Sequence, residues 1–377
     1  MKIKDMIKRH AWKIIFGIGV LLIAFIGGTY YAVNYLTYDQ IEIVESFANE
    51  DAGDGNYEKY LDGVLKYSRD GIALLSKEGT EIWNQPCQMS FPIVEICKDT
   101  AAVGDRGGTS IYVFQKNGLK GEIRTTMPIE KISVSSQGIV AAILKNGESP
   151  KIMCYDADGN VLIEHSASLG KTGYPVDISL SYDGSVLLVS YLGTKGSSVV
   201  SRATYYNFGK AGEDKVDYQV ANLEYADTII PITAFLDKKL SMLIADNAVV
   251  FMEGLDEPRE SMFIQLDKEI KRVAYNEDYI VLVLKNSGQT DYELRLYSTE
   301  GKQILSTQFE GEYANIEIVG NQIIMYEGSK CAIYNKNGTC KYEGELEMNI
   351  VNMFPVSGFN KYMVISANGF QEIQLVK

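Results

Sequence analysis

The chain has 377 residues, a formal net charge of −13 and only two histidines beside 49 acidic and 36 basic side chains. So acidic a chain repels phosphate backbones, which argues against nucleic-acid binding, and two histidines cannot build a His-rich zinc set. Five scattered cysteines (Cys87, Cys97, Cys154, Cys331, Cys340) are an odd number without a C-x-x-C pair, so neither a disulfide framework nor a zinc site is expected, and buried free thiols are.

The chain opens with a basic segment, residues 1–13, containing Lys2, Lys4, Lys8, Arg9 and Lys13 against Asp5 alone. Residues 14–36 begin IIFGIGVLLIAFIGGTYYAV, twenty residues without a charge, which is the length an α-helix needs to cross a bilayer. Asp39, Glu42 and Glu45 follow. Basic flanks stay in the cytoplasm, so we expect an uncleaved signal-anchor, a thirteen-residue cytoplasmic tail and an extracytoplasmic remainder at the cell membrane. A cleaved signal peptide would have a shorter apolar region and an A-x-A-like end; Gly28-Thr29-Tyr30-Tyr31 is neither. A tail this short cannot fold into an enzyme. Residues 37–60 are acidic, and 51–56 are Gly-rich, which predicts a flexible stalk with a short helix at 40–49.

Residues 61–377 change character. Short runs of Val, Ile, Leu and Tyr alternate with turn residues every 8–12 positions, the pattern of an all-β fold. One hairpin recurs: IALLSKEGTEIW (72–83), IYVFQKNGLKGEI (111–123), IMCYDADGNVLIE (152–164), LRLYSTEGKQILS (294–306) and CAIYNKNGTCKYE (331–343), with weaker copies at 203–220 and 249–264. The turns fall at Gly79, Gly118, Gly159, Gly212, Asp256, Gly301 and Gly338. Between them lies a second hairpin, as in ISVSSQGIVAAIL (132–144) and ISLSYDGSVLLVSYL (178–192), whose latter strand is almost wholly apolar. Each unit thus supplies four strands in roughly 43 residues, the length and content of a propeller blade. Residues 64–83 lack a first strand and 349–377 a last one, so the two ends are expected to adjoin in the closing blade, giving seven or eight blades. Tyr112, Tyr155, Tyr297 and Tyr334 are read as recurring at one position of the repeat, which marks them for packing.

The hairpin ending in Trp83 resembles the repeat of quinoprotein-type propellers, a group that includes bacterial outer-membrane assembly scaffolds. Over nearly the whole chain, the basic start and span, YSRDGIALLSKEGTEIWNQP, PIVEICKDTAAVGDRGGTSIYVFQKNG and PIEKISVSSQGIVAAIL resemble a family of uncharacterised proteins of clostridia-type Gram-positive bacteria. That resemblance implies one membrane span followed by a WD40-like or quinoprotein-like propeller. It implies no activity and no functional residue.

Catalytic motifs are missing. His10 lies in the basic tail and His165 stands alone in a strand, with no G-x-S-x-G nucleophile before it. Asp105-Arg106-Gly107-Gly108 looks like a phosphate loop but falls between two strands of one blade, where a hairpin turn is expected. Without a repeated Trp, a quinone cofactor is not expected, nor is a metal. Asn337-Gly338-Thr339 matches a glycosylation sequon but reads first as a tight turn. The sequence therefore points to a membrane-tethered scaffold that binds an envelope protein or cell-wall glycan. The alternatives are an extracytoplasmic polysaccharide lyase or hydrolase using carboxylates at the channel mouth, and a sensor subunit meeting a membrane partner through Gly17, Gly19, Gly27 and Gly28.

Overall fold

In the computed structural model, which describes residues 3–48, 55–286 and 291–377, the turn-bounded apolar runs are strands that associate in fours. Eight antiparallel sheets result. They span residues 56–86, 92–124, 129–166, 174–226, 232–265, 269–309 and 315–345, and the eighth combines 352–376 with 40–48. The fold is thus an eight-bladed propeller, and these are blades 1 to 8.

Each hairpin type has a fixed place in the blade. In blade 3, Ile129–Val134 pairs with Val140–Leu144 as strands one and two, and all five residues of the second strand are buried. Lys151–Tyr155 and Val161–Ser166 are strands three and four, the last mostly exposed. Burial explains the pattern: a second strand has neighbouring blades over both faces and is apolar throughout, whereas a fourth strand lies on the rim and alternates. Hydrophobic side chains gather in eight layers, one between each pair of neighbours. Ala102, Ile111 and Val113 of blade 2 meet Ile132, Val140 and Ala142 of blade 3, and Phe354 and Met363 of blade 8 meet Val64 and Leu75 of blade 1.

The turn between strands three and four carries the repeat signature. A bulge falls just before it in seven blades, for example at Val113/Phe114, Cys154/Tyr155 and Ile333/Tyr334. Tyr155, Tyr297 and Tyr334 share the position after the bulge, but in blade 2 Phe114 holds it and Tyr112 lies two residues earlier; all four tyrosines are buried. Gly159 and Gly338 sit at φ +86° and +89°, a conformation glycine adopts without penalty. Gly212 is small for another reason. It lies in the helical turn Lys210–Glu213, where a Cβ would stand 1.8 Å from the Asn207 carbonyl oxygen.

The expected stalk is corrected by the structure. Gln40–Ala48 is a nine-residue strand, not a helix, and pairs with the C-terminal strand Gly369–Val376 from Gln40 opposite Val376 to Ala48 opposite Gly369. Asn56–Tyr60 is the first strand of blade 1. The rest of the Gly-rich stretch, residues 49–54, lies outside the described residues. The N-terminal strand therefore supplies the fourth strand of the last blade, so residues 61–377 alone do not make a complete ring.

The N-terminal helix, α1, runs from Ile3 to Tyr35 and so extends through most of the expected tail as well as the apolar stretch. Its window Ile15–Tyr35 has a mean hydropathy of 1.9, and none of it is buried. Only Leu36 to Asp39 separate the helix from the closing strand. The junction is tied to blade 7. The Asn335 side-chain amide donates to the carbonyls of Val33 (3.2 Å) and Asn34 (2.9 Å), and Asn337 donates to that of Asn34 (3.0 Å). These bonds satisfy carbonyls that a helix C-terminus leaves open. The Tyr38 N–H then donates to the Lys341 carbonyl (2.8 Å). Asn360 donates to the Tyr38 hydroxyl and accepts from the buried Lys341 ammonium (2.7 Å), whose pKa burial lowers to about 8.

Two truncations separate anchoring from closure. Removing residues 1–35 should leave the thermal midpoint within a few degrees of the full chain in detergent. Removing residues 1–54 strips the closing strand and bares the edge of Gly369–Val376; the midpoint should fall by roughly 10 °C or more, and the protein should aggregate through the free edge. Equal midpoints would show that the N-terminal strand does not close the ring.

Candidate functional site

The first strand of every blade lines the central channel. Side chains alternate along a strand, so one set faces the channel and the other packs between blades. The strands NYEKY, PIVEIC, YPVDISL and NIEIV each carry one carboxylate, Glu58, Glu95, Asp177 and Glu317, the last three between apolar neighbours and Glu58 between Tyr57 and Lys59. No site residue was expected from the sequence, and these four are what that reading missed. The available signal was one acid in the middle of a mostly apolar first strand for Glu95, Asp177 and Glu317, whereas the polar strand NYEKY offered none for Glu58. It is weak in any single blade and becomes meaningful only when the strands converge.

A cavity of about 670 Å³ opens in the channel between blades 1, 6, 7 and 8. Glu58, Tyr67, Tyr275, Glu317, Tyr326 and Asn352 are among the residues that line it. Glu317 is the most firmly held of its acids. Its Oε1 accepts from the Tyr326 hydroxyl (3.0 Å) and the Asn352 amide (3.3 Å), and Asn352 also donates to the Tyr57 carbonyl (2.9 Å). Asp177 is buried and clamps three blades. It pairs with Lys131 of blade 3 and accepts from the Thr233 N–H (2.6 Å) and hydroxyl (3.0 Å) of blade 5.

Glu58 and Glu95 are open to the channel space but ringed on all sides by strands, so water reaches them without solvating them as bulk solvent would. Enclosure pushes Glu58 up to about 7, and the nearby Glu317 charge adds to the rise. Glu95 also moves to about 7, first through enclosure and then through Asp177, with Lys131 opposing. Glu317 is raised by burial and held back by its two hydrogen bonds. Tyr275, 42% exposed into the same space, is pushed far up by burial and by the Glu95 and Asp177 charges. Near neutral pH the channel therefore holds carboxyls divided between acid and carboxylate, a state suited to proton exchange or to pairing with a bound cation. Among the described residues, no group of three or more His, Cys, Asp or Glu is placed to hold a metal ion.

Other residues singled out in the sequence have structural surroundings. His165 is half-buried, its Nε2 lies 3.3 Å from the Tyr206 hydroxyl, and burial lowers its pKa. Asn337 of the sequon binds Asn34. Trp83 stacks on Phe114 with centroids 4.9 Å apart, as a packing residue between blades 1 and 2. All five cysteines are free thiols; Cys340 pairs across its hairpin with Tyr334 rather than Cys331. Asp105–Gly108 is the turn between strands two and three of blade 2. A Cβ added at Gly17, Gly19, Gly27 or Gly28 would touch nothing within 4 Å.

A family model described as a family of unknown function, DUF5711, matches residues 34–375. Among curated proteins none matches the sequence. Two solved structures share the fold. The crystal structure of BamB from Moraxella catarrhalis has a TM-score of 0.53 and 13% identity, covering 89% of this chain and 99% of that one. The C-terminal WD40 domain of Sif2 has a TM-score of 0.61 and 12% identity, covering 91% and 100%. At such identities the likeness is one of fold.

The channel carboxyls give a pH signature with a definite sign. Unfolded glutamates titrate near 4.3, and Glu58 and Glu95 in the folded chain near 7. The folded state thus holds extra protons between these values, so stability is lost as pH rises through that window. Glu58→Gln should raise the thermal midpoint at pH 8 by about 2–4 °C, and the gain should shrink towards zero by pH 4.5. Thermal unfolding across this range checks it; a gain independent of pH would contradict a raised Glu58.

Proposed function

The chain belongs to the family of unknown function DUF5711, and from that premise we propose that it is a membrane-tethered scaffold whose propeller lies outside the cytoplasm and binds an envelope protein or glycan. The observation that carries this reading is the junction between α1 and the ring. A helix exposing Phe16, Leu21 and Phe25 at 67–71% is unfavourable in water, and a bilayer supplies the missing burial. Four residues later the chain becomes the strand that closes the ring. A fold held this way presents loops at a set distance from the membrane. The basic residues before the span and the acidic ones after it support the N-terminus-inside orientation. Tyr30, Tyr31 and Tyr35, all exposed near the helix end, suit the headgroup level.

A second reading has one specific observation in its favour. Glu58, with a pKa near 7, and Glu317 face one cavity, which supports a carboxyl pair in general acid–base work on a polysaccharide. If so, purified protein should release reducing or unsaturated ends from cell-wall polysaccharide, and both Glu58→Gln and Glu317→Gln should remove at least about 99% of that release.

The tether and its orientation are tested together. Full-length protein should resist alkaline extraction from membranes. A cysteine placed by Ser197→Cys, in an exposed turn of blade 4, should react with a membrane-impermeant maleimide in intact cells, while a Lys4→Cys tail cysteine should react only after lysis. The native thiols are buried or half-buried and leave a low background. Recovery in the soluble fraction, or labelling of Ser197→Cys only after lysis, would overturn the reading.

A further inference from the structure

A propeller has two faces, and this one uses them differently. One face carries the turns between strands one and two and between strands three and four. The end of α1 is bound there, by Asn335 and Asn337 at the three–four turn of blade 7. The opposite face carries the blade-to-blade connectors and the turns between strands two and three. On that face, over blades 1 to 4, lie two adjoining cavities of about 560 and 640 Å³. They share Phe91 and Arg106, so they form one groove with a ridge in the middle.

The groove combines apolar surface with unpaired positive charge. Phe91 is 59% exposed and stands beside Pro128, Tyr174 and Pro175. Arg69, Arg106 and Lys145 occupy the two–three turns of blades 1, 2 and 3 in succession. None of their side chains has an ion-pair or hydrogen-bond partner among the described residues. Of the other charged lining residues, Lys131 is paired with Asp177, Glu130 accepts the Tyr174 hydroxyl proton, and Asp70 is a lone acid. Three cations without an acidic partner stand against two acids without a basic one, Asp70 and Glu130, a small positive excess in a chain of −13.

The groove is also built to hold its shape. Asp105 Oδ1 accepts the N–H groups of Ser90 (2.8 Å) and Phe91 (2.9 Å), fixing the loop that raises the Phe91 ring. The Arg106 N–H donates to the Phe91 carbonyl, Gly107 to Ile129 and Gly108 to Asp105, at 2.7–2.9 Å. The backbone donors of this turn are therefore spent, and it cannot cradle a phosphate through N–H groups. Recognition falls to the guanidinium and ammonium groups, which suit carboxylates, and to the apolar ridge, which a phosphodiester polymer would leave uncovered.

We propose that this groove, on the face turned away from the anchor, is the docking site for an acidic peptide segment carrying an aromatic or aliphatic side chain, its carboxylates set against Arg69, Arg106 and Lys145 and its apolar residue against Phe91. The proposal deepens the scaffold reading and rests on it by naming the binding face and the partner's chemistry. Charge complementarity would speed encounter and exclude basic segments, and the apolar contact would supply affinity.

The test is selection from a random ten-residue phage-displayed library on full-length protein in nanodiscs. Enriched sequences should carry at least two Asp or Glu beside an apolar residue, and their binding should weaken with added salt. Combined Arg69→Ala, Arg106→Ala and Lys145→Ala should weaken it about tenfold or more, and Phe91→Ala about fivefold. All four side chains are exposed, so the variants should keep the wild-type unfolding midpoint, which is measured alongside. The proposal is overturned by no enrichment, by neutral or basic winners, by undiminished binding to the folded triple variant, or by binding of polyphosphate with no peptide enriched. Maleimide labelling reads the location of the propeller and the selection reads the groove, so either can fail alone.

Discussion

A stack of sheets that bury their faces against one another always has two bare ends, unless it bends into a ring and the ends meet. Everything else in this protein depends on that meeting. The eight interblade layers are chemically alike, and each protects its neighbours only while the ring is shut. What shuts it is the ladder between residues 40–48 and 369–376, helped by the buried junction of Tyr38, Lys341 and Asn360. A charged lysine in such a place costs free energy. Its hydrogen bond to Asn360, and the bond of its own carbonyl with Tyr38, join three distant segments at the point where the ring would otherwise part.

The ring frees its centre from being a core. Because stability resides in the layers between blades, the first strands can carry acids that a two-layer fold would have to exclude. Asp177 turns this freedom into a clamp between blades 3, 4 and 5. Glu58 and Glu95, which have no such partners, remain as groups whose charge the structure resists. The cavity walled by Glu58 and Glu317 is thus a chemical resource maintained at some expense of stability, a common property of sites kept for use.

The repeat was legible because it is written in burial. Second strands must be apolar and three–four turns must bend sharply, so VAAIL and DADGN announce themselves. The closing strand, QIEIVESFA, was not legible as a strand. It has a partner on one side only, and just Ile41 and Phe47 are partly covered, so its acids and exposed Ile43 and Val44 read as a linker. NYEKY, the first strand of blade 1, hides for a related reason: only Tyr57 and Tyr60 are buried, and the rest faces solvent or channel. The channel acids escaped because their proximity is a product of ring geometry. Glu58 and Glu317 are neighbours across the channel although five blades intervene in sequence. Arg69, Arg106 and Lys145 were visible as residues but not as a row, since only the fold aligns successive turns on one face.

The fusion of anchor and closing strand also has a temporal side. Ribosomes deliver Phe47 early and its partner Phe370 last, more than 300 residues later, so the nascent chain carries a committed but unmatched strand through almost the whole of its synthesis. Blades 1 to 7 can form locally as they emerge, with low contact order, whereas closure must await the final strand. The entropic charge for joining such distant segments grows only logarithmically with their separation; the hazard is the waiting, with an open edge able to pair with another chain. Tethering the early strand beside a helix end that blade 7 itself grips brings it close to where blade 8 will appear, and so shortens the final search from a three-dimensional one to a local rearrangement.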